Sequence, residues 1–346
     1  MKRVFSILIC LFFCTTICLP LIAIQGKAAT PALDFDFDAS TGTITGYHGP
    51  NTDVDIPSTI GGVSVVAIGE HAFSQQIITS VIIPNSVTKI RDLAFFECHL
   101  LKKVTLGNHI ILLGTGAFED CNSLTNINLP DSLTNLLSSV FHGCTKLTTI
   151  TLPPNLTNIG MFAFASTGLT HITFPNSVEV IEDFAFNGCI SLTSATFTGN
   201  APYITDNSAF YGTDPSFMIY YYEESTGFTT PSYEGYPCFP LYRVTVSNNM
   251  YRGNITCEDR ATPGSVVHLT VLPDLGYALS SLYYMDALGK HVISGTSFVM
   301  PANDVTIYAK FTSVFVYLFF AISIVFLLGV VAYGLWMAFR NSTHNR

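Results

Sequence analysis

The dipeptide Ala-Phe returns along this chain at a nearly fixed interval. It stands at Ala72-Phe73, Ala94-Phe95, Ala117-Phe118, Ala163-Phe164, Ala185-Phe186 and Ala209-Phe210, with Val140-Phe141 in the same register. The Phe-to-Phe steps are 22, 23, 23, 23, 22 and 24 residues. Seven in-register positions do not arise from an ordinary globular order of elements. They predict a solenoid, in which one coil cannot bury its own apolar face and stacked coils make a continuous core.

The coil from Ala117 to Leu136 shows how each repeat is built. Its apolar set is Phe118, Cys121, Leu124, Ile127, Leu129, Leu133 and Leu136. Ile127-Asn128-Leu129 alternates with period two, as a short strand with one buried face does. Pro130 ends that strand because it has no N–H to donate to a ladder. Asp120 to Ser123 is rich in turn formers, and Leu133 with Leu136 fits a second short extended segment. The inward strand column then reads Val81/Ile83, Val104/Leu106, Ile127/Leu129, Ile150/Leu152, Ile172/Phe174 and Ala195/Phe197. Neighbouring strands are expected about 4.8 Å apart in a parallel sheet.

The pattern A-F-x-x-C-x-x-L-x-x-I-x-L-P-x-S-L-x-x-I resembles the BspA-type leucine-rich repeat, from roughly residue 44 to 240 and most strongly in the middle coils. That family occurs in surface proteins of bacteria and some parasitic protists. The resemblance implies a non-enzymatic role in adhesion to host proteins or other cells. It names no ligand.

A second pattern starts near Leu241. Arg243 to Val246, Ser265 to Val271 and Val305 to Phe311 alternate as strands, with Pro263-Gly264, Asp274-Leu275-Gly276-Tyr277 and Phe298 to Thr306 as landmarks. Residues 241 to 311 resemble the divergent internalin-type B-repeat. The resemblance implies a stalk or spacer and a bacterial source. Between the two patterns, Phe217 to Tyr222 and the turn-rich Gly235-Tyr236-Pro237 resemble a closing segment that covers the last coil.

The two ends of the chain are apolar. Met1-Lys2-Arg3, an apolar run to Ile24 and small residues near Ala28 describe a secretory signal peptide over 1–28. Val314 to Phe339 has 26 residues with no Asp, Glu, Lys, Arg or His. As a helix it would extend about 39 Å, enough to cross a bilayer core of about 30 Å with some tilt. Residues 340–346 would form a cytoplasmic tail beginning at Arg340. The expected organisation is therefore mainly β: a cap and imperfect first coil over 30–70, repeats over 71–240, a small β module over 241–312 and one transmembrane helix over 314–339.

The part between these segments holds 10 Lys and Arg against all 24 Asp and Glu, a formal charge of −14. Such a surface disfavours nucleic acid and anionic membrane as partners. Asp34, Asp36 and Asp38 invite a calcium reading, but an EF-hand loop from Asp34 would need Gly at Ala39 and Glu at Thr45. Cys98, Cys121, Cys144 and Cys189 share one repeat position, with Thr167 in the intervening coil. Successive thiols a whole coil apart do not make a zinc pattern. They read as buried free thiols, because stacked Cβ vectors point the same way and stay farther apart than a disulfide prefers.

The chain contains no G-x-S-x-G, H-E-x-x-H, Walker or G-x-G-x-x-G motif. His142 lies two residues from Cys144, but that Cys belongs to the core column. No cofactor is expected. Asn155-Leu156-Thr157 and Asn254-Ile255-Thr256 are sequons. The candidate binding face is the outward side of the strands: Lys103, Thr105, Asn126, Asn128, Thr149, Thr151, His171 and Thr173. These ladders of hydroxyl and amide groups on a fixed scaffold suit an extracellular protein or glycan. The expected protein is a single-pass cell-surface molecule of adhesion or protein interaction. A structural envelope component or glycan binder is the alternative.

Overall fold

The computed structural model describes residues 29–205, 208–248, 250–314 and 324–333. It is a mainly β molecule whose parallel solenoid makes about nine turns. Most coils contribute one strand to a front sheet and one to a back sheet. The front strands Asp53–Asp55, Ser80–Ile82, Lys103–Thr105 and Asn126–Ile127 pair in parallel. So do His171–Phe174, Ser194–Phe197, Met218–Tyr222 and Tyr236–Val246. In the back sheet Thr43–Tyr47, Ala67–Ile68, Lys89–Ile90 and Leu112–Leu113 form one ladder. Asn135–Leu136, Asn158–Ile159, Val180–Ile181 and Tyr203–Ile204 form another. At the N-terminal end Phe35–Asp38 runs antiparallel to Thr43–Tyr47 and caps the stack.

The Ala-Phe pairs form a third side, built as a turn. From Phe73 to Phe186, each Phe N–H donates to the carbonyl of the Ala or Val that precedes the next Phe, as in Phe73 to Ala94 (2.8 Å) and Phe186 to Ala209 (2.8 Å). The turn needs a left-handed residue two places before the Phe and another two places after it. Leu93 (φ +56°) and Glu97 (φ +56°) flank Phe95, and Gly116 (φ +61°) and Asp120 (φ +57°) flank Phe118. A non-Gly residue there costs roughly 1–2 kcal/mol. Two gains offset it: the coil-to-coil hydrogen bonds, and burial of the rings in one stack from Phe73 to Phe210.

The inward columns follow the alternation, with two departures. Leu129 and Ile150 are only half-buried, whereas their counterparts are buried. The strand expected over 127–129 pairs only as Asn126–Ile127, and 149–151 joins no ladder. The cause lies in the local opening described below.

The second unit has its own core, including Val244, Val267, Leu282, Phe298 and Ile307. Tyr277–Asp286 pairs antiparallel with Val305–Ser313 and with the hairpin strand Gly289–Val292. The boundary expected between 240 and 241 falls inside one strand, Tyr236–Val246. Cys238–Leu241 of that strand pairs with Ile219–Tyr222 of the solenoid, and Val244–Val246 pairs with Val305–Ile307 of the module. One sheet therefore runs through both units. The Arg260 guanidinium pins the joint, lying 3.5 Å over the Tyr222 ring and 2.6 Å from Glu224, which Arg243 also reaches at 3.1 Å.

The signal segment expected over 1–28 lies outside the described residues, as does most of 314–339. Residues 324–333 are helical. Among the described residues no helix is long and apolar enough to cross a membrane.

Candidate functional site

The front sheet is not continuous. Between Asn126–Ile127 and His171–Phe174 lies the extended but unladdered segment 149–151, so the face is split in two. A groove of about 390 Å³ opens there, lined by Thr125 to Leu129, Thr149 to Thr151 and His171.

One side chain shapes this edge. Earlier in the stack, backbone bonds link the coils here: Ile56 N–H to Ile82 O (3.0 Å), then Ile83 N–H to Thr105 O (2.9 Å). In the next step Leu106 N–H donates instead to Asn128 Oδ1 (3.0 Å), while Asn128 Nδ2 donates to Leu106 O (3.1 Å). A primary amide can mimic a peptide group in this way because it carries both a donor and an acceptor. It satisfies Leu106 and ends the ladder.

Of the eight residues expected on the binding face, the groove gathers five: Asn126, Asn128, Thr149, Thr151 and His171. Lys103 and Thr105 lie one strand away, with Lys103 opposite Asn126. Thr173 lies beyond His171 on the same strand, opposite Thr196. All eight are exposed except Thr105, which is half-buried. Sequence reasoning missed Thr125 and Leu129, and an aromatic continuation of the face. Thr196 is opposite Tyr220, and Tyr220 is opposite Phe239, so the outward row ends in two rings. The alternation of Met218 to Tyr222 with buried Ile219 was the available signal.

Chemically the groove offers hydroxyls, amides and backbone groups. His171 is its one titratable side chain, and its Nδ1 lies 3.1 Å from Thr170 Oγ1. Elsewhere His142 Nδ1 lies 3.1 Å from Glu119 Oε1, while the Cys144 thiol faces the core and donates to Phe118 O at 3.2 Å. Burial pushes that thiol's pKa well up, the reverse of what a nucleophile needs. Among the described residues no cluster of His, Cys, Asp or Glu is arranged to hold a metal ion.

The BspA type leucine rich repeat region, in six copies, matches residues 66–193 and 157–252, together more than half of the chain. The chain belongs to the BspA-type leucine-rich repeat family. The divergent InlB B-repeat domain matches residues 242–315. Solved structures similar to this BspA-type chain include a leucine rich cell surface protein from Faecalibacterium prausnitzii, 31% identical with a TM-score of 0.40, over 50% of this chain and 55% of that one. The chain thus spans about half the length of that relative. The Treponema pallidum leucine rich repeat protein is 26% identical with a TM-score of 0.37, over 56% of this chain and 86% of that one. A leucine-rich repeat protein from Bacteroides ovatus is 24% identical with a TM-score of 0.29, over 54% and 69%. No curated protein matches the chain.

Proposed function

We propose that this BspA-type protein is a non-enzymatic bacterial cell-surface protein that holds its solenoid outside the membrane and binds an extracellular protein at the front-face groove. The observation that carries this reading is the groove. It gathers five of the outward polar residues at the one place where the front sheet opens, on a scaffold whose order is already set by stacked coils. In this reading residues 1–28 export the chain, 314–339 anchor it, and the module stiffens the base of the solenoid through the shared strand Tyr236–Val246.

A second reading, a glycan ligand, is favoured by one observation. Tyr220 and Phe239 stand side by side at the end of the outward row, with Phe239 37% exposed. An exposed ring and a half-buried one beside hydroxyls and amides suit a sugar, which has both an apolar face and polar edges.

The test uses the exported chain on immobilised extracellular-matrix proteins and on purified cell-wall glycans. Substituting Thr149→Lys, Thr151→Lys and Thr173→Lys together leaves the core untouched, since all three side chains are exposed. A binder found with the native chain is expected to lose at least ten-fold in affinity to the triple variant, about 1.4 kcal/mol. Unchanged affinity of a folded variant removes the groove from the proposal. Preferential loss of glycan binding in Tyr220→Ala and Phe239→Ala selects the second reading.

A further inference from the structure

We propose that the solenoid carries a built-in hinge at the coil of Val140, dividing it into two stiff blocks that bend against each other. The column that precedes each Phe reads Ala72, Ala94, Ala117, Val140, Ala163, Ala185 and Ala209, all buried. Val140 brings two extra methyl groups into a position sized for one. Well-packed interiors answer extra volume by shifting backbone.

The shift is visible in three independent places. The stacked rings are separated by 4.9 Å at Phe73–Phe95 and 5.1 Å at Phe95–Phe118, then 5.8 Å at Phe118–Phe141 and 5.5 Å at Phe141–Phe164. They return to 5.2 Å for the next two steps. The two widest steps bracket Val140. In the back sheet, Leu112–Leu113 and Asn135–Leu136 are the only consecutive coils whose strands fail to pair among the described residues, although they face each other. In the front sheet the ladder stops at Asn126–Ile127 and resumes at His171–Phe174. Both sheets therefore break at the same coil.

Two parts of the interface remain closed: the corner between the sheets, where Ser132 Oγ donates to Asn108 O (3.2 Å) and Asn155 Nδ2 to Asp131 O (3.0 Å), and the turn side. Gly116 N–H donates to Ser138 O (2.9 Å), Phe118 N–H to Val140 O (3.0 Å) and Asp120 N–H to His142 O (2.8 Å). Asn122 Nδ2 adds a bond to Gly143 O at 3.0 Å. The interface is therefore held at the turn and by single side-chain bonds at the opposite corner, and it lacks both strand ladders. In a repeat array each coil is held only by its neighbours, so one weakened interface localises the bending.

Pulsed electron spin resonance on the full chain in detergent tests this. Labels at Ile77→Cys and Ile190→Cys, both highly exposed and in opposite blocks, are read in a background with Cys10, Cys14, Cys18 and Cys257 replaced by Ser. The native Val140 chain is expected to give a broad distance distribution. Val140→Ala is expected to remove the broad component and leave one narrow peak. An equally narrow peak in the native chain, or an equally broad one in Val140→Ala, overturns the hinge. Should Val140→Ala not fold, Ala163→Val in the native chain is read instead. It is expected to widen the distribution further by opening the next interface, and an unchanged width overturns the wedge.

Discussion

At the scale of single residues, the buried thiols show how a repeat position is used. Cys98, Cys121, Cys144 and Cys189 donate to the carbonyls of Phe73, Phe95, Phe118 and Phe164 at 3.0 to 3.2 Å. Thr167 fills the same position in the intervening coil, and its hydroxyl lies 3.2 Å from Cys189 Sγ. The position thus takes a small side chain with one donor. Burial raises the pKa of Cys121, Cys144 and Cys189 and pushes Cys238 up to about 12. In the unfolded chain these thiols ionise near pH 8.5. Above that pH the native state holds more protons than the unfolded state, so stability falls as pH rises. Urea midpoints are expected to be flat from pH 6 to 8 and to drop from about pH 8.5 upward. A Cys121→Ala, Cys144→Ala double variant is expected to drop less steeply. Mass spectrometry of the alkylated, unreduced, denatured chain is expected to recover Cys98 and Cys121 as separate peptides.

At the scale of elements, the Phe turn and the joint strand bear most of the order. Phe164 is fully buried between Phe141 and Phe186, whose ring centroids lie 5.5 and 5.2 Å away. Phe164→Ala is expected to cost about 3–5 kcal/mol in urea unfolding, because the fixed turn on either side cannot collapse into the space. The joint responds to acid. The Arg260 hydrogen bonds hold the Glu224 carboxyl at about 2, below its ordinary value. Its contribution is therefore present above about pH 4.3 and lost as pH falls through about 2. Both Glu224 and Arg243 are half-exposed, so salt weakens this contribution. Glu224→Gln is expected to flatten the stability profile between pH 2 and 4.5 at low salt, and 1 M salt is expected to erase most of the difference. Asn128 stands on the outward face, yet its amide is bonded to Leu106 N–H and O at 3.0 and 3.1 Å, so the binding test leaves it in place.

At the scale of the whole molecule, a rod of stacked coils is joined to a small β unit by a strand common to both. That strand ties the base of the rod to the module, and the proposed bend lies at the coil of Val140. The groove lies at this same coil, so a ligand seated across it would contact both blocks. In the proposed single-pass arrangement, truncation from Val314 onward is expected to release the ectodomain into the medium. Retention of the truncated chain in the membrane fraction would place the anchor elsewhere.

The repeat, its inward columns and the second unit were legible in the sequence because they rest on local rules. Strand alternation has period two, the coil has a step of 22 to 24 residues, and both survive whatever the neighbours do. The outward residues of the face were legible for the same reason. Other features depended on distances between residues a coil apart. Val140 is visible as an exception in the Ala column, but its effect required the separation of stacked coils, which strand alternation does not encode. The amide of Asn128 could as well have met solvent; only the position of Leu106 decided otherwise. The continuity of Tyr236–Val246 across the expected boundary was likewise a matter of register between two sheets. Periodicity determined which residues face the core, and packing between coils decided where the stack holds and where it opens.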